Sequence, residues 1–344
     1  GIDHSLFFDE DGTCYYIGTH PNPAGCQYDG DWYIWIQELD IENMKLVGEV
    51  HNVWNGAMRN IIWPEGPHLY KIGEYYYIMH AEGGTGPDHA VTVCRSKNVY
   101  GPYENNFCNP ILTHRHLGRK YPIRYVGHAD LVKTINDEWY MVMLAVRPLE
   151  GYTTMGRETF LARVEWENDW PVVNPGVGRL TDTVEINLPK RTAYTAESNE
   201  YVFSTMGQLP PEFMVLRNAD KSHYSLEKGK GLLMLFDTHT LKEQASPSYL
   251  AFRQKHHHFI AKALLDVSNL SEDKRAGIAY VQNNLYNLRV EVNGKMAEVI
   301  LCEKGTDRRV ISMPLQGSNP LEVSLEVDGL SAAVIIEGQK SPEV

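Results

Sequence analysis

The chain has 344 residues with 32 basic and 44 acidic side chains, and its formal net charge of -12 argues against a basic surface that binds nucleic acid. This length predicts about two domains. Five cysteines, at positions 14, 26, 94, 108 and 302, are odd in number and form no CxxC pair, which excludes a disulfide framework and a zinc motif. No apolar run approaches the roughly 18 residues of a membrane span, so we expect a soluble protein with no membrane partner.

The first half of the chain repeats one pattern: an apolar strand, a tight turn with Gly or Asn-Asp, and an aromatic strand. Leu6, Leu69 and Leu131 mark equivalent points, 63 and 62 residues apart. The unit suits a four-stranded blade with long loops and predicts a β-propeller within an all-β chain. Because a propeller ring closes with no fewer than about four blades, we expect its start to lie outside this sequence.

Beyond residues 174–178 the long repeat disappears and shorter strands separated by turn signals take over, which is typical of a β-sandwich. The sequence therefore predicts a propeller domain over residues 1–178, incomplete at its N-terminus, and a linker over residues 179–200. A jelly-roll-like sandwich domain is predicted over residues 201–344. Its last predicted strand, residues 322–330, is expected to find its partner beyond Val344.

Polar residues stand immediately before the first strand of each copy, and these are Asp3, Glu65 and His128. The innermost strand of every propeller blade starts at the central channel, so the three side chains are predicted to converge on one pocket. Each alone could merely serve a turn, but three at the heads of three copies favour a functional site. Two carboxyl groups and an imidazole suit acid–base chemistry on a neutral polar ligand, and the foremost candidate reaction is sugar hydrolysis.

Cleavage of a glycosidic bond needs one carboxyl group held protonated and a second held ionised. Glu65 lies between Pro64 and Pro67 and follows Trp63. Partial desolvation there is expected to raise its carboxyl pKa, which fits a proton donor. Asp3 would supply the neighbouring negative charge that keeps the proton on Glu65.

Several motifs resemble those of glycoside hydrolase family 43, in its β-xylosidase and α-L-arabinofuranosidase branch. They occur in the same order and with similar spacing, densely over residues 1 to about 175 and more loosely in the sandwich. These segments are Asp3-His4-Ser5-Leu6-Phe7, Glu65-Gly66-Pro67-His68-Leu69-Tyr70, Ala81-Glu82-Gly83-Gly84-Thr85, Gly127-His128-Ala129-Asp130-Leu131-Val132, Gly156-Arg157-Glu158-Thr159 and Ala245-Ser246-Pro247-Ser248-Tyr249-Leu250.

The resemblance implies a five-bladed propeller with an appended β-sandwich, and hydrolysis of terminal sugars with inversion at the anomeric carbon. It implies that Glu65 is the general acid and that Asp3 orients it and tunes its pKa. His128 matches an axial histidine that in some members holds a calcium ion or an ordered water. Arg157 matches an arginine that reaches the sugar pocket, and Thr85 matches a wall of that pocket.

The chain departs from the family at the general base, an aspartate in a Pro-Asp-Pro-like motif of the first blade. No such motif occurs in this sequence. By the same alignment two of the five blades would precede Gly1, which agrees with the repeat count. We expect these blades in an N-terminal segment of the same protein, and the alternative is that a second chain supplies them.

The sequence thus predicts an exo-acting inverting glycosidase that removes terminal β-D-xylose and/or α-L-arabinofuranose from plant-polysaccharide oligosaccharides. It requires no cofactor, and calcium at His128 is an optional ion. The rivals are a non-catalytic carbohydrate-binding propeller and a phosphorylase or transglycosidase on the same scaffold. Without the resemblance, Arg157 would be expected to pair with Glu158 on the surface. The compartment stays open between cytoplasm and periplasm or secretion, and the oligomeric state stays open, homo-oligomers included.

Overall fold

A computed structural model describes residues 1–188, 200–217 and 221–344. The chain divides into two compact units, residues 1–191 and 192–344, and each is considered by itself. Within the described residues the regular structure is almost entirely β, with two short 3-10 helices at Phe203–Thr205 and Lys221–His223. No helix in this part of the chain is long and apolar enough to cross a bilayer.

The described residues of the first unit form three antiparallel sheets, each built from consecutive strands, as expected for propeller blades. We call them blades 1, 2 and 3. Blade 1 comprises β1 (Ile2–Phe8), β2 (Cys14–Pro21), β3 (Trp32–Asp40) and β4 (Lys45–Trp54); blade 2 comprises β5 (Glu65–Ile72), β6 (Tyr75–Glu82), β7 (Ala90–Ser96), β8 (Glu104–Asn105) and β9 (Leu112–Thr113); blade 3 comprises β10 (Arg124–Lys133), β11 (Trp139–Val146), β12 (Glu158–Glu167) and β13 (Trp170–Val173).

The predicted repeat corresponds to the first hairpin of each blade, β1–β2, β5–β6 and β10–β11. Each hairpin turns through a residue with positive φ, at Gly12 (φ 90°), Gly73 (φ 58°) and Asp137 (φ 61°). Glycine and aspartate tolerate this left-handed conformation better than most residues, which explains the turn composition seen in the sequence. The three-copy prediction is confirmed.

Neighbouring blades pack face to face through apolar side chains that alternate along the strands. Leu69 is buried in the core between blades 1 and 2, and Leu131 in the core between blades 2 and 3. The equivalent Leu6 is 50% exposed on the other face of blade 1. Tyrosines tie the blades together: the Tyr76 hydroxyl donates to Asp9 at 2.6 Å and the Tyr77 hydroxyl donates to the Asp169 carbonyl at 2.7 Å.

In the second unit, the part of the chain that the structure describes forms two four-stranded sheets and a separate hairpin. Side chains from both large sheets share one hydrophobic core, which confirms the predicted sandwich. The hairpin is β14 (Tyr224–Glu227) and β15 (Gly231–Met234); one sheet comprises β16 (His258–Leu265), β21 (Leu321–Asp328), β22 (Ser331–Ile336) and β23 (Gln339–Lys340), and the other comprises β17 (Ala279–Asn283), β18 (Tyr286–Val292), β19 (Met296–Glu303) and β20 (Thr306–Pro314).

The predicted linker over residues 179–200 lies partly outside the described residues, because residues 189–199 are not described. Its described beginning still belongs to the blades: the Leu180 side chain is fully buried in the core between blades 2 and 3. The Leu180 amide also donates to His114 at 2.9 Å. The chain therefore stays anchored to the propeller for at least two residues beyond the predicted end of that domain.

Candidate active site

The first strand of each blade carries a β-bulge near its start. The pairing register shifts between Ile2 and Ser5 in β1, between Glu65 and His68 in β5, and between Gly127 and Ala129 in β10. A bulge bends the strand and re-aims the side chains beside it, and bulges often occur next to active sites. The three blades thus present redirected side chains at equivalent places.

The residues in the left-handed conformation at these bulges are Asp3 (φ 53°), Gly66 (φ 56°) and His128 (φ 53°). They are 63 and 62 residues apart, which is the same spacing as the repeat leucines. Glu65 therefore corresponds to Ile2 and not to Asp3, so the predicted equivalence of the three polar residues is wrong by one position. The predicted residues Asp3, Glu65 and His128 also belong to their strands and do not precede them, because strand pairing continues past each bulge.

Hydroxyl groups of blade 1 hold the backbone on both sides of Glu65. The Thr19 hydroxyl donates to the Pro64 carbonyl at 2.6 Å, and the Ser5 hydroxyl donates to the Pro67 carbonyl at 2.6 Å. Proline has no N–H of its own, so these carbonyls are the groups through which the two residues can be tied down. The two prolines predicted to desolvate Glu65 thus also fix its position against blade 1.

Burial is the main cause of a raised pKa at the Glu65 carboxyl group, and the negative charge of Asp3 raises this pKa further. The positive charge of Arg157 acts in the opposite direction. The structure therefore brings three of the predicted site residues into electrostatic contact. A half-buried carboxyl group with a raised pKa keeps its proton to a higher pH than an ordinary glutamate, which suits it to donate that proton.

His128 joins the same cluster. Burial lowers the pKa of its imidazole, Asp3 opposes that effect, and Arg157 adds to it. The ring lies over the backbone of Gly66: a Cβ at residue 66 would stand 2.8 Å from Cδ2 of His128 and closer still to Nε2. Residue 66 must therefore be glycine for two reasons: its φ is positive, and the imidazole of His128 occupies the space that a side chain would need.

Arg157 lies in the segment just before β12, with an exposed side chain. It does not pair with its neighbour Glu158, which instead accepts two hydrogen bonds from Arg147, at 3.0 and 2.8 Å. The simple surface pair expected without the resemblance is thus not formed. The charge of Arg157 acts on Glu65 and His128, as a residue of the pocket would.

Thr85 is exposed on the loop between β6 and β7. Among the described residues, no hydrogen bond, ion pair or electrostatic interaction links it to the other four predicted site residues. Its neighbour Gly84 packs under the Trp63 indole, where a Cβ would stand 2.6 Å from Cε3. Trp63 precedes Glu65 by two residues, so the loop approaches the site, but the role of Thr85 remains a prediction.

Sequence reasoning missed His89, at the end of the same loop. Its side chain is 1% exposed, and the charges of His128 and Arg157 act on its imidazole. Only its place after the glycine-rich loop, in Gly86-Pro87-Asp88-His89, distinguishes it in the sequence. A single histidine without a partner at a recognisable spacing gives no motif.

The optional calcium ion at His128, held in part through water, remains a prediction, because clusters of protein ligands alone do not test it. Calcium takes six to eight oxygen ligands. In the described ranges no group of three or more His, Cys, Asp and Glu side chains could hold a metal ion, and this covers His256, His257 and His258 as well. The Nε2 edge of His128 also faces Gly66. No step of the chemistry below is routed through a metal.

Two family models match the chain: glycosyl hydrolases family 43 over residues 1–171, and a beta xylosidase C-terminal concanavalin A-like domain over residues 201–340. A "Xylosidase/arabinosidase" of Butyrivibrio fibrisolvens is 46% identical in an alignment of 346 positions that covers 98% of this chain and 66% of that protein. A "Non-reducing end alpha-L-arabinofuranosidase BoGH43B" of Bacteroides ovatus is 32% identical over 91% of this chain and 68% of its own length. The chain spans about two thirds of the length of these curated relatives.

Solved structures agree with these matches. A xylan beta-1,4-xylosidase from Bacillus halodurans superposes with a TM-score of 0.86 at 29% identity, over 100% of this chain and 68% of its own. A GH43B protein of Bacteroides ovatus superposes with a TM-score of 0.86 at 28% identity, over 100% of this chain and 67% of its own. The three blades are thus part of a five-bladed propeller that is followed by a β-sandwich. The chain belongs to glycosyl hydrolase family 43.

Proposed function

We propose that the protein that carries this chain is an exo-acting inverting glycoside hydrolase. Its substrates would be oligosaccharides of plant polysaccharides that end in β-D-xylose and/or α-L-arabinofuranose. The observation that carries the proposal is the Glu65 carboxyl group, whose pKa is raised by burial and by the charge of Asp3 at the heads of adjoining blades. A group that only bound a sugar hydroxyl would need no such environment.

In this mechanism Glu65 starts protonated and gives its proton to the glycosidic oxygen as the bond to the anomeric carbon breaks. Asp3 favours the protonated state before the reaction, because its negative charge raises the pKa of Glu65. Arg157 then stabilises the carboxylate that Glu65 becomes, since its positive charge lowers the same pKa. Asp3 thus favours Glu65 before the proton transfer, and Arg157 favours it afterwards.

His128 supports sugar binding in the proposed site. Burial lowers the pKa of its imidazole, which favours the neutral ring. A neutral imidazole offers one N–H donor and one lone pair to sugar hydroxyls. It also places no further positive charge beside Glu65, which a protonated histidine would do.

Water must be activated by a second carboxylate, which we assign to no residue of this chain. The family resemblance predicts it as an aspartate in a Pro-Asp-Pro-like motif that precedes the present sequence in the whole protein. Inversion requires this base to stand roughly 6.5–9.5 Å from Glu65, with room for one water between them. The proposal therefore concerns the whole protein.

The relatives carry names that include both sugars, xylose and arabinofuranose. The test is to incubate the protein with 4-nitrophenyl β-D-xyloside and 4-nitrophenyl α-L-arabinofuranoside and to follow the released sugar by proton NMR. We expect a single sugar unit to be released, with the opposite anomeric configuration first. Retained configuration would contradict inversion, and release that needs inorganic phosphate would indicate a phosphorylase. Sugar binding without any release would favour the binding propeller.

A further inference from the structure

His89 belongs to blade 2, and its surroundings are those of a structural side chain with one exception. The residue directly precedes β7, and its carbonyl accepts a hydrogen bond from the Thr113 hydroxyl at 2.8 Å. Its side chain is 1% exposed. The exception is Nε2, which is buried and has no hydrogen-bond partner among the described residues. An unpaired buried acceptor costs stability, so such a group calls for an explanation.

The tautomer of His89 follows from its one ring hydrogen bond. Nδ1 lies 2.9 Å from the Tyr125 carbonyl oxygen, which can only accept. Nδ1 therefore carries the proton, and Nε2 holds a lone pair. Burial lowers the pKa of this imidazole to about 4, so the ring is neutral over the ordinary pH range.

The Nε2 edge of the ring contacts blade 3 at a second point. A Cβ at Gly127 would stand 2.6 Å from Cε1 of His89 and closer still to Nε2, so the imidazole fills the place of that side chain. Gly127 lies between two bulges of β10, with Tyr125 (φ 59°) on one side and His128 (φ 53°) on the other. One ring thus holds both halves of this double bulge.

The contacts continue from the double bulge to the acid. His128 follows Gly127 directly, and its ring lies on Gly66 of blade 2. Gly66 follows Glu65, which we propose as the proton donor. Two histidines therefore cross the same blade boundary in opposite directions, and each ring packs on a glycine of the opposite blade.

We propose that His89 is a positioning residue, which sets the double bulge of β10 and thereby the placement of His128 beside Gly66 and Glu65. The proposal rests on the proposed function. A loss of His89 would let the bulge relax, so His128 and Glu65 would meet the substrate in a less productive arrangement. Displacements of about 1 Å in such sites can cost on the order of a hundredfold in rate.

The test compares two substrates of whichever sugar the wild type cleaves, its 4-nitrophenyl glycoside and its methyl glycoside. The methyl glycoside has the poorer leaving group and depends more on proton donation. The ratio of the two kcat/KM values does not depend on the fraction of folded protein. We expect His89→Ala to raise this ratio about tenfold in favour of the nitrophenyl glycoside. His89→Asn, which can still donate to Tyr125, should recover part of the loss.

His114→Ala is the matched control. His114 is 3% exposed, donates from Nδ1 to the Ile123 carbonyl at 2.7 Å and accepts at Nε2 from the Leu180 amide at 2.9 Å. It is thus an equally buried histidine whose two ring nitrogens are both satisfied. We expect its removal to lower stability and to leave the substrate ratio at the wild-type value. An equal ratio in His89→Ala and His114→Ala would overturn the proposal.

Gly127→Ala tests the ring contact from the other side. The added methyl group would occupy the place of the His89 ring. The φ of Gly127 lies outside the left-handed region, so the backbone itself can accept alanine. We expect the same change of ratio as in His89→Ala, and a much smaller further change when Gly127→Ala is added to His89→Ala, because the ring is then absent. Additive effects of the two substitutions would contradict the contact.

A readout without catalysis separates this proposal from the proposed function. The ring resonances of His128, observed by NMR, should shift in His89→Ala and stay in place in His114→Ala. If the wild type cleaves neither substrate and this shift still occurs, the proposed function fails and the positioning of His128 by His89 stands. If the wild type cleaves both and His128 does not respond, the positioning proposal fails alone.

Discussion

The imidazole of His128 lies directly on the backbone of Gly66, across the boundary between blades 2 and 3. This contact joins two residues 62 positions apart in the sequence and places the histidine next to the residue that follows Glu65. Because Gly66 also adopts φ 56°, no other residue type fits both the conformation and the space.

The first prediction concerns Gly66→Ala. We expect the substitution to cost about 1–2 kcal/mol of unfolding free energy through the left-handed backbone, and more through the clash with His128. Turnover should fall at least tenfold, because His128 must move away from Glu65. Urea denaturation and steady-state kinetics measure the two effects.

Gly73→Ala is the matched control for this substitution. Gly73 has φ 58° in the turn between β5 and β6, and a Cβ there would meet no atom within 4 Å. It should therefore show the backbone cost alone, with wild-type turnover of the folded protein. If both alanine variants lose the same stability and keep the same turnover, the contact of His128 with Gly66 has no functional weight.

The second prediction concerns Asp3→Asn, which removes a charge and keeps a residue type that tolerates φ 53°. Asp3 raises the pKa of Glu65, so its removal should lower that pKa. Glu65 then loses its proton at a lower pH, and the alkaline limb of kcat/KM should move to lower pH. A pH–rate profile measures the shift. An alkaline limb that stays in place or moves to higher pH would contradict the role of Asp3.

The third prediction has the opposite sign. Arg157 lowers the pKa of Glu65, so Arg157→Gln should raise it and move the alkaline limb of kcat/KM to higher pH. If Arg157 also binds the sugar, KM should rise as well. Arg147→Gln, which removes the ion-pair partner of Glu158, is the control and should leave the limb in place. Identical profiles for the two variants would remove Arg157 from the site.

The sequence predicted the blades because their strands and turns repeat locally. Leu69 and Leu131 occupy equivalent core positions, and the turns at Gly12 and Gly73 show the expected residue type. The repeat also predicted that Asp3, Glu65 and His128 come together. In the structure the charge of Asp3 acts on both Glu65 and His128, which requires the three residues to be near one another.

The details that the sequence did not show depend on contacts between blades. The sequence did not show the bulges at Asp3, Gly66 and His128, although the spacing of the repeat leucines already makes Gly66, and not Glu65, the equivalent residue. His89 is visible only once two blades lie side by side. Sequence neighbours suggested that Arg157 pairs with Glu158, whereas strand pairing brings Arg147 to that carboxylate.

The central claim is that Glu65 donates the proton, and Glu65→Ala tests it most directly. We expect kcat/KM on methyl glycosides to fall by about 10²–10⁴, because the poor leaving group needs the acid. Activity on 4-nitrophenyl glycosides should largely survive, since nitrophenolate leaves without a proton. Glu74→Ala, in the exposed turn after β5, is the control for an unrelated carboxylate. Equal losses on both substrate classes would contradict the assignment of Glu65 as the general acid.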